Sequence, residues 1–208
     1  MSKVKIEGNA SGTGTLTISA PNTNTDRNLT LPDGAGEILL SDGDGSNLTG
    51  ISVGISEADV WTKDTDDSTS GNAEQTETYW VNLTTFSRTK VGTGMTHSSG
   101  VFTFPSTGKW LVRYNLSARA SSSGESWIAP KIQVTTDNGS NWDLLSFAYT
   151  SGSAYFYCSA MTEEIIDVTD VSNVKVRFRI QSADSVYLLG ETTNARTTTA
   201  TFIKLGET

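Results

Sequence analysis

The chain has 208 residues, enough for one good-sized domain with an appendage; about a quarter are Ser or Thr, 19 are Gly, and runs of Leu, Ala, Glu or Lys are few. That composition disfavours a bundle of ordinary helices and predicts an all-β protein. The net charge is −8, and the single cysteine, Cys158, excludes an intrachain disulfide framework and a cysteine-based zinc site.

No apolar run approaches the roughly 20 residues that cross a bilayer, and the polar start MSKVKIEGNASG does not read as a signal peptide. The protein is therefore expected to be made in a cytoplasm, with no membrane insertion. Residues 1–80 hold 4 Lys and Arg against 13 Asp and Glu, whereas residues 81–208 hold 11 against 10. Such a balance reads as a solvated, self-repelling first half and argues against nucleic acid, whose phosphates need gathered cations.

Residues 1–50 form a distinct piece. Short alternating segments, Thr15–Ile18, Asn28–Leu31 and Glu37–Leu40, are separated by turn clusters at 21–26, 32–36 and 42–46. Each predicted strand carries two or three apolar side chains, too few to offset its ordering entropy, so the segment is expected to fold on copies of itself or on a host surface. Val60-Trp61 is a brief apolar stretch, and residues 62–78 read as an acidic loop or linker. A second domain is placed over residues 51–208.

From Tyr79 onward, strands are predicted at Trp80–Phe86, in a hairpin over Gly100–Ala120, and at Lys131–Thr135, Leu144–Thr150, Ala154–Met161, Val174–Ile180, Ser185–Leu189 and Thr199–Leu205, about nine in all. In the hairpin Phe102 and Phe104 share one side of the first strand, Trp110, Val112, Tyr114, Leu116 and Ala118 one side of the second, and Pro105 and Gly108 mark the corner. Val174, Val176, Phe178 and Ile180 alternate with Lys175, Arg177, Arg179 and Gln181, a strand with one side in. Ala154–Met161 differs. Tyr155, Tyr157 and Met161 fall on one side and Phe156, Cys158 and Ala160 on the other, so this strand needs two buried faces, one in the core and one against a neighbouring subunit.

Several motifs imitate sites. Ser106-x-x-Lys109 has the spacing of some acyl-transfer enzymes but occupies a corner where those need a helix. His97 has no acid or Cys within several residues and reads as a solvated loop residue. Asp42-Gly-Asp-Gly-Ser46 begins like a calcium loop, but Asn47 and Val53 stand where Gly and Glu belong. Thr135-x-Asp137-x-Gly139-x-x-Trp142 resembles the Asp box of sialidase propellers, which implies a turn stabilised by Asp137 and covered by Trp142. The basic row Lys175, Arg177, Arg179 reads as a solvated face or one paired with acids such as Glu163 and Glu164, with an anionic-ligand site as the alternative.

Gly100-Val-Phe-Thr-Phe-Pro-Ser-Thr-Gly108-Lys-Trp-Leu-Val resembles the corresponding hairpin of complement globular-head and tumour-necrosis-factor jelly rolls, and Thr199–Leu205 is similar to their final strand. Over residues 57–208 this resemblance implies a ten-strand sandwich assembling as a trimer, with Trp110 standing where Tyr is usual. Thr13–Ala20, Asn28–Leu40 and Asn47–Ile51 resemble the attachment segments of tailed-bacteriophage structural proteins. Together the two resemblances imply a virion surface protein, a fibre or capsid decoration, that is a homotrimer, touches other virion proteins through residues 1–50 and displays its head towards host surface glycan. The alternative is a polysaccharide-degrading or sialidase-like phage enzyme, with Glu163, Glu164 and Asp167 as its carboxylates. Under the main reading no catalytic residue, metal or cofactor is assigned. Trp110, Tyr114, Tyr155, Phe156, Tyr157, Phe178 and Phe202 are expected in the core or trimer contact; Ser122, Trp127, Lys175, Arg177, Arg179 and Arg196 are the expected ligand-facing set.

Overall fold

The two-residue period of Gly108–Ala120 produces the longest strand, 13 residues whose Trp110, Val112, Tyr114, Leu116 and Ala118 are all fully buried. It belongs to a computed structural model that describes residues 11–15, 17, 24–26, 54–69, 74–76, 78–84, 89–120, 126–153, 156–190 and 196–208. The chain divides into two compact units, Met1–Thr49 and Gly50–Thr208. In the first, Thr15 and Thr17 are exposed and outside any strand, and the rest of the strands expected there, with the Asp42–Ser46 motif, lies outside the described residues.

The second unit is all β. Its strands, among the described residues, are β1 (Ala58–Lys63), β2 (Asp67–Thr69), β3 (Glu74–Thr76), β4 (Trp80–Val81), β5 (Thr96–Ser98), β6 (Val101–Thr103), β7 (Gly108–Ala120), β8 (Ser126–Thr135), β9 (Asp143–Phe147), β10 (Thr150–Gly152), β11 (Tyr157–Val168), β12 (Lys175–Ser182), β13 (Val186–Leu188) and β14 (Thr199–Gly206). They form two seven-stranded sheets with every pairing antiparallel, a jelly-roll sandwich. In the first sheet β11 lines one edge of β7 from Gly108 to Arg119, while β14 and β13 share the other, with β1 and β4 beyond β14. In the second, β12 lies between β8 on one side and β6 and β3 on the other; β9 and β10 close the far edge of β8.

The core lies between the sheets. Trp80, Phe102, Tyr114, Phe178 and Phe202 form a network of rings 5.0–6.0 Å apart, mostly edge-on or tilted as aromatic quadrupoles prefer. Trp110 joins it through Phe104 at 5.3 Å. Trp110, Tyr114, Phe178 and Phe202 are thus core residues.

Four expectations need correction. Gly100–Ala120 is not a hairpin: β6 pairs with β5 and β12 in the second sheet, and β7 lies in the first. Alternation fixes which side of a strand is buried but not its partner, and two strands facing one core from opposite sheets have the same pattern. Gly108 makes this crossing possible; its φ is 135°, and a Cβ there would meet the Gly206 carbonyl at 2.5 Å. The acidic stretch 62–78 contains β2 and β3, which extend the two sheets. Leu144–Thr150 is broken into β9 and β10 opposite Pro130, whose carbonyl accepts the Ala148 N–H on that side while its nitrogen has no hydrogen to return. Finally, the strand expected at Trp80–Phe86 is β4 alone; residues 82–84 are irregular, and 85–88 lie outside the described residues.

Candidate functional site

The sandwich shows two outer faces of different chemistry. On the first sheet, β11 is an edge strand whose odd positions point outward, and Tyr157, Met161 and Ile165 are 74%, 51% and 57% exposed. Ile165 stands opposite Leu111 of β7, Leu111 opposite Ile203 of β14, and Ile203 opposite Ala58 of β1, so an apolar row crosses four strands. Phe156, just before β11, is 71% exposed. Arg113 and Glu163 form an exposed ion pair at 2.8 Å beside the row. Such a pair contributes about 0–1 kcal/mol, whereas covering one large apolar side chain is worth about 1.5–3 kcal/mol. The apolar row dominates this face.

The even positions of β11 face inward, with Ile166 and Val168 buried and Cys158 half-buried. The strand expected at Ala154–Met161 therefore starts at Tyr157 and runs to Val168; Tyr155 lies outside the described residues. Burial pushes the Cys158 thiol up, away from thiolate reactivity.

The outer face of the second sheet is basic. Lys175, Arg177, Arg179 and Gln181 point outward from β12, opposite Thr135, Gln133, Lys131 and Ala129 of β8. Arg177 Nε donates to Gln133 Oε1 at 2.8 Å, Lys131 Nζ to Gln181 Oε1 at 2.7 Å, and Lys175 Nζ to Thr103 Oγ1 at 3.2 Å. The expected pairing with Glu163 and Glu164 does not occur, because β11 belongs to the other sheet. Aromatic rings surround the cations: the Arg177 guanidinium lies 4.2 Å over Trp142, Phe147 stands opposite Lys131, and exposed Trp127 meets Tyr149 at 5.8 Å.

The expected ligand-facing set is split. Lys175, Arg177, Arg179 and Trp127 share this face; Arg196 precedes β14 of the other sheet, beside Thr197, whose hydroxyl donates to the Leu189 carbonyl; Ser122 lies outside the described residues. Glu163 and Glu164 are successive strand residues and point to opposite faces, so they do not converge on one substrate.

The Asp-box-like turn forms as its motif implies. Asp137 accepts hydrogen bonds from the Asn141 backbone N–H at 2.8 Å, the Thr135 hydroxyl at 2.7 Å and the Asn141 side chain at 2.7 Å, which lower its pKa to about 2. Asn138 and Gly139 have positive φ, and the Trp142 ring covers the turn at Gly139. His97 is not a solvated loop residue. It lies in β5, half-buried against Phe102 at 4.7 Å and Trp61 at 5.8 Å, its Nε2 accepts the Gly100 N–H, and burial lowers its pKa below 6.5.

Sequence reasoning missed a pair of structural carboxylates. Glu57 accepts the Thr93 and Gly94 N–H groups at 3.1 and 2.9 Å; buried Asp59 accepts the Trp61 indole and the Met95 N–H, each at 2.9 Å, and the Asn82 amide. They pin the glycine-rich segment to β1. A buried acid flanked by Ala58 and Val60 has the period of an inward strand position, the signal that was there to read.

These sheets define an all-β jelly roll of the tumour-necrosis-factor type. At a TM-score of 0.52 the structure is similar to murine APRIL at pH 5.0, with 11% identity over 72% of this chain and 98% of that one. It is also similar to Eiger TNF from S. frugiperda, with a TM-score of 0.50, 14% identity, and coverage of 73% and 93%. No protein-family model matches the sequence, and no curated protein matches it significantly.

Proposed function

We propose that the protein is a trimeric, non-enzymatic jelly-roll head of a tailed-bacteriophage virion, held on the particle by residues 1–50 and acting as a capsid decoration, a head fibre or a tail-fibre adhesin. One observation carries the self-association: the apolar row of Tyr157, Met161 and Ile165 on an edge strand, continued by Leu111 and Ile203. A row of this size left in water is costly, and a second copy offers matching chemistry. The resemblance of Gly100–Val112 to trimeric jelly rolls supports three copies. The virion role is supported by the resemblance of Thr13–Ala20 and Asn28–Leu40 to phage attachment segments. Three copies on one particle turn weak head contacts into tight binding through high local concentration. Binding is favoured over hydrolysis because Glu163 and Glu164 diverge and Asp137 is engaged in its own turn.

The test is gold labelling of intact particles with antibody against residues 100–208. Label on the shell supports decoration and label at the tail supports adhesion, whereas purified particles that carry no label and lack the protein by mass spectrometry overturn the virion role.

A further inference from the structure

Where the sandwich opens between β4, the last strand of the first sheet, and β5, the last of the second, one carboxylate organises a cavity. Asp59 is 3% exposed, and a buried charge is costly unless hydrogen bonds satisfy it. Its oxygens accept the Trp61 indole N–H and the Met95 backbone N–H, each at 2.9 Å, and the Asn82 side-chain amide. Those three residues, with Thr84, Thr89 and Lys90, line a cavity of about 350 Å³. Small-ligand sites span about 300–1,000 Å³. Trp61 is fixed further by Phe102, edge-on at 5.4 Å, and by His97 at 5.8 Å. Gly94 has a φ of 76°, and a Cβ there would meet Lys90 Cδ at 2.6 Å and Asp59 Oδ2 at 2.7 Å, so the missing side chain makes room for the Lys90 stem beside the carboxylate. Apolar groups of the same shape would hold β1 to its neighbours about as well. What Asp59 adds is a fixed geometry for three lining residues, the support that a binding site needs.

The groups converging there suit a sugar. The indole offers an apolar face to ring C–H groups, and Asn82, which gives an N–H to Asp59, keeps its amide oxygen as an acceptor. The Thr84 and Thr89 hydroxyls donate or accept, and Lys90, which gives one hydrogen to the Thr93 carbonyl, carries three. The surrounding charge argues against an anion: Asp59 lies beside the Lys90 stem, and Glu57 binds the Thr93 and Gly94 N–H groups, two carboxylates to one ammonium. We propose that this cavity binds a single neutral sugar ring, the end unit of a surface glycan, with its C–H side on Trp61 and its hydroxyls on Asn82, Thr84, Thr89 and Lys90. The site rests on the adhesin form of the proposed function only for the source of the sugar.

Saturation-transfer NMR of the full chain with the methyl glycosides of glucose, galactose and mannose, which stand for the end ring of a glycan, tests it. Wild type is expected to saturate the ring protons of at least one of them, methyl glucuronide more weakly, and the open-chain polyol sorbitol not at all. Thr84→Val and Lys90→Gln are each expected to weaken binding roughly fivefold, the effect of one lost hydrogen bond. Trp61→Leu is expected to abolish it; because Trp61 also touches Phe102, Thr89→Trp, which fills the cavity from an exposed position, serves where that variant fails to melt like wild type. Arg113→Gln, on the outer face of the first sheet, is expected to leave binding intact. The proposal is overturned if no neutral glycoside is saturated, if glucuronide or sorbitol responds as strongly, or if Thr89→Trp binds like wild type. A protein that binds glycoside but is absent from particles contradicts the virion role alone, and a particle-borne protein that does not bind contradicts the site alone.

Discussion

The two outer faces of the sandwich rest on one core but have been given opposite chemistry. Facing outward, β11 shows Tyr157, Met161 and Ile165, while β12 shows Lys175, Arg177 and Arg179. Facing inward, both strands supply apolar side chains, Ile166 and Val168 from one and Val176, Phe178 and Ile180 from the other. Inward positions are bound by packing density and tolerate little variation in size, whereas outward positions are bound only by solvent and by whatever docks there. The difference teaches that the surface chemistry of this protein is written on alternate residues of strands whose other residues hold the fold. Each face can therefore be altered separately, and the core cannot be altered without losing both.

The largest effect is expected where the faces share support. Phe102 is fully buried among Trp61, Trp80, Phe178 and Phe202, so Phe102→Ala is expected to cost about 3–5 kcal/mol in urea denaturation and to abolish self-association and ligand binding together. Next comes the corner that separates the sheets. Gly108→Ala forces a side chain into a φ of 135° against the Gly206 carbonyl and is expected to cost about 1–3 kcal/mol from backbone strain, with the same readout.

A pH series sharpens the comparison on the side of the second sheet. Burial lowers the folded pKa of His97 below 6.5, so between that lower value and 6.5 the unfolded chain binds more protons than the folded one. Its contribution is full above pH 6.5 and is lost as pH falls through the window. Urea midpoints are expected to fall in wild type from pH 7 to 5 by more than in His97→Leu; equal falls would show that His97 is not held neutral. Asp137 gives the smallest effect. Its pKa of about 2 against an ordinary 3.8 means that its contribution is present above 3.8 and is lost as pH falls towards 2, and Asp137→Asn is expected to remove that part of the acid dependence in thermal melts.

Much of this was legible in the sequence, for a reason visible in β7 and β12. A strand with one side in the core must alternate, so the sides of these strands that carry Trp110, Tyr114 and Phe178 could be read as the inward ones from spacing alone. The alternation of β11 was legible only in part: Cys158 and Ala160 face inward and Tyr157 and Met161 outward, but Phe156, expected on the inward side, precedes the strand and is 71% exposed. Pairing was not legible. That β6 and β7 lie in different sheets, and that Lys131 stands opposite Arg179, depend on contacts between segments far apart in sequence, which local alternation does not encode. Nor could composition reveal β2 and β3, three-residue strands of polar residues that exist because a neighbouring edge offers them hydrogen bonds. His97 was misread for the same reason: its neighbours in sequence are glycines and serines, but its neighbours in space are Phe102 and Trp61.

The central claim is that the apolar face of the first sheet is covered by further copies of the chain. Light scattering at micromolar concentration on wild type and Ile165→Asp tests it most directly, since Ile165 is exposed in the single chain and its replacement leaves the core intact. The expected masses are about three times 22.2 kDa for wild type and close to 22.2 kDa for the variant, with the variant melting as a folded protein. A wild type of 22.2 kDa, or a variant that stays as large as wild type, would contradict it.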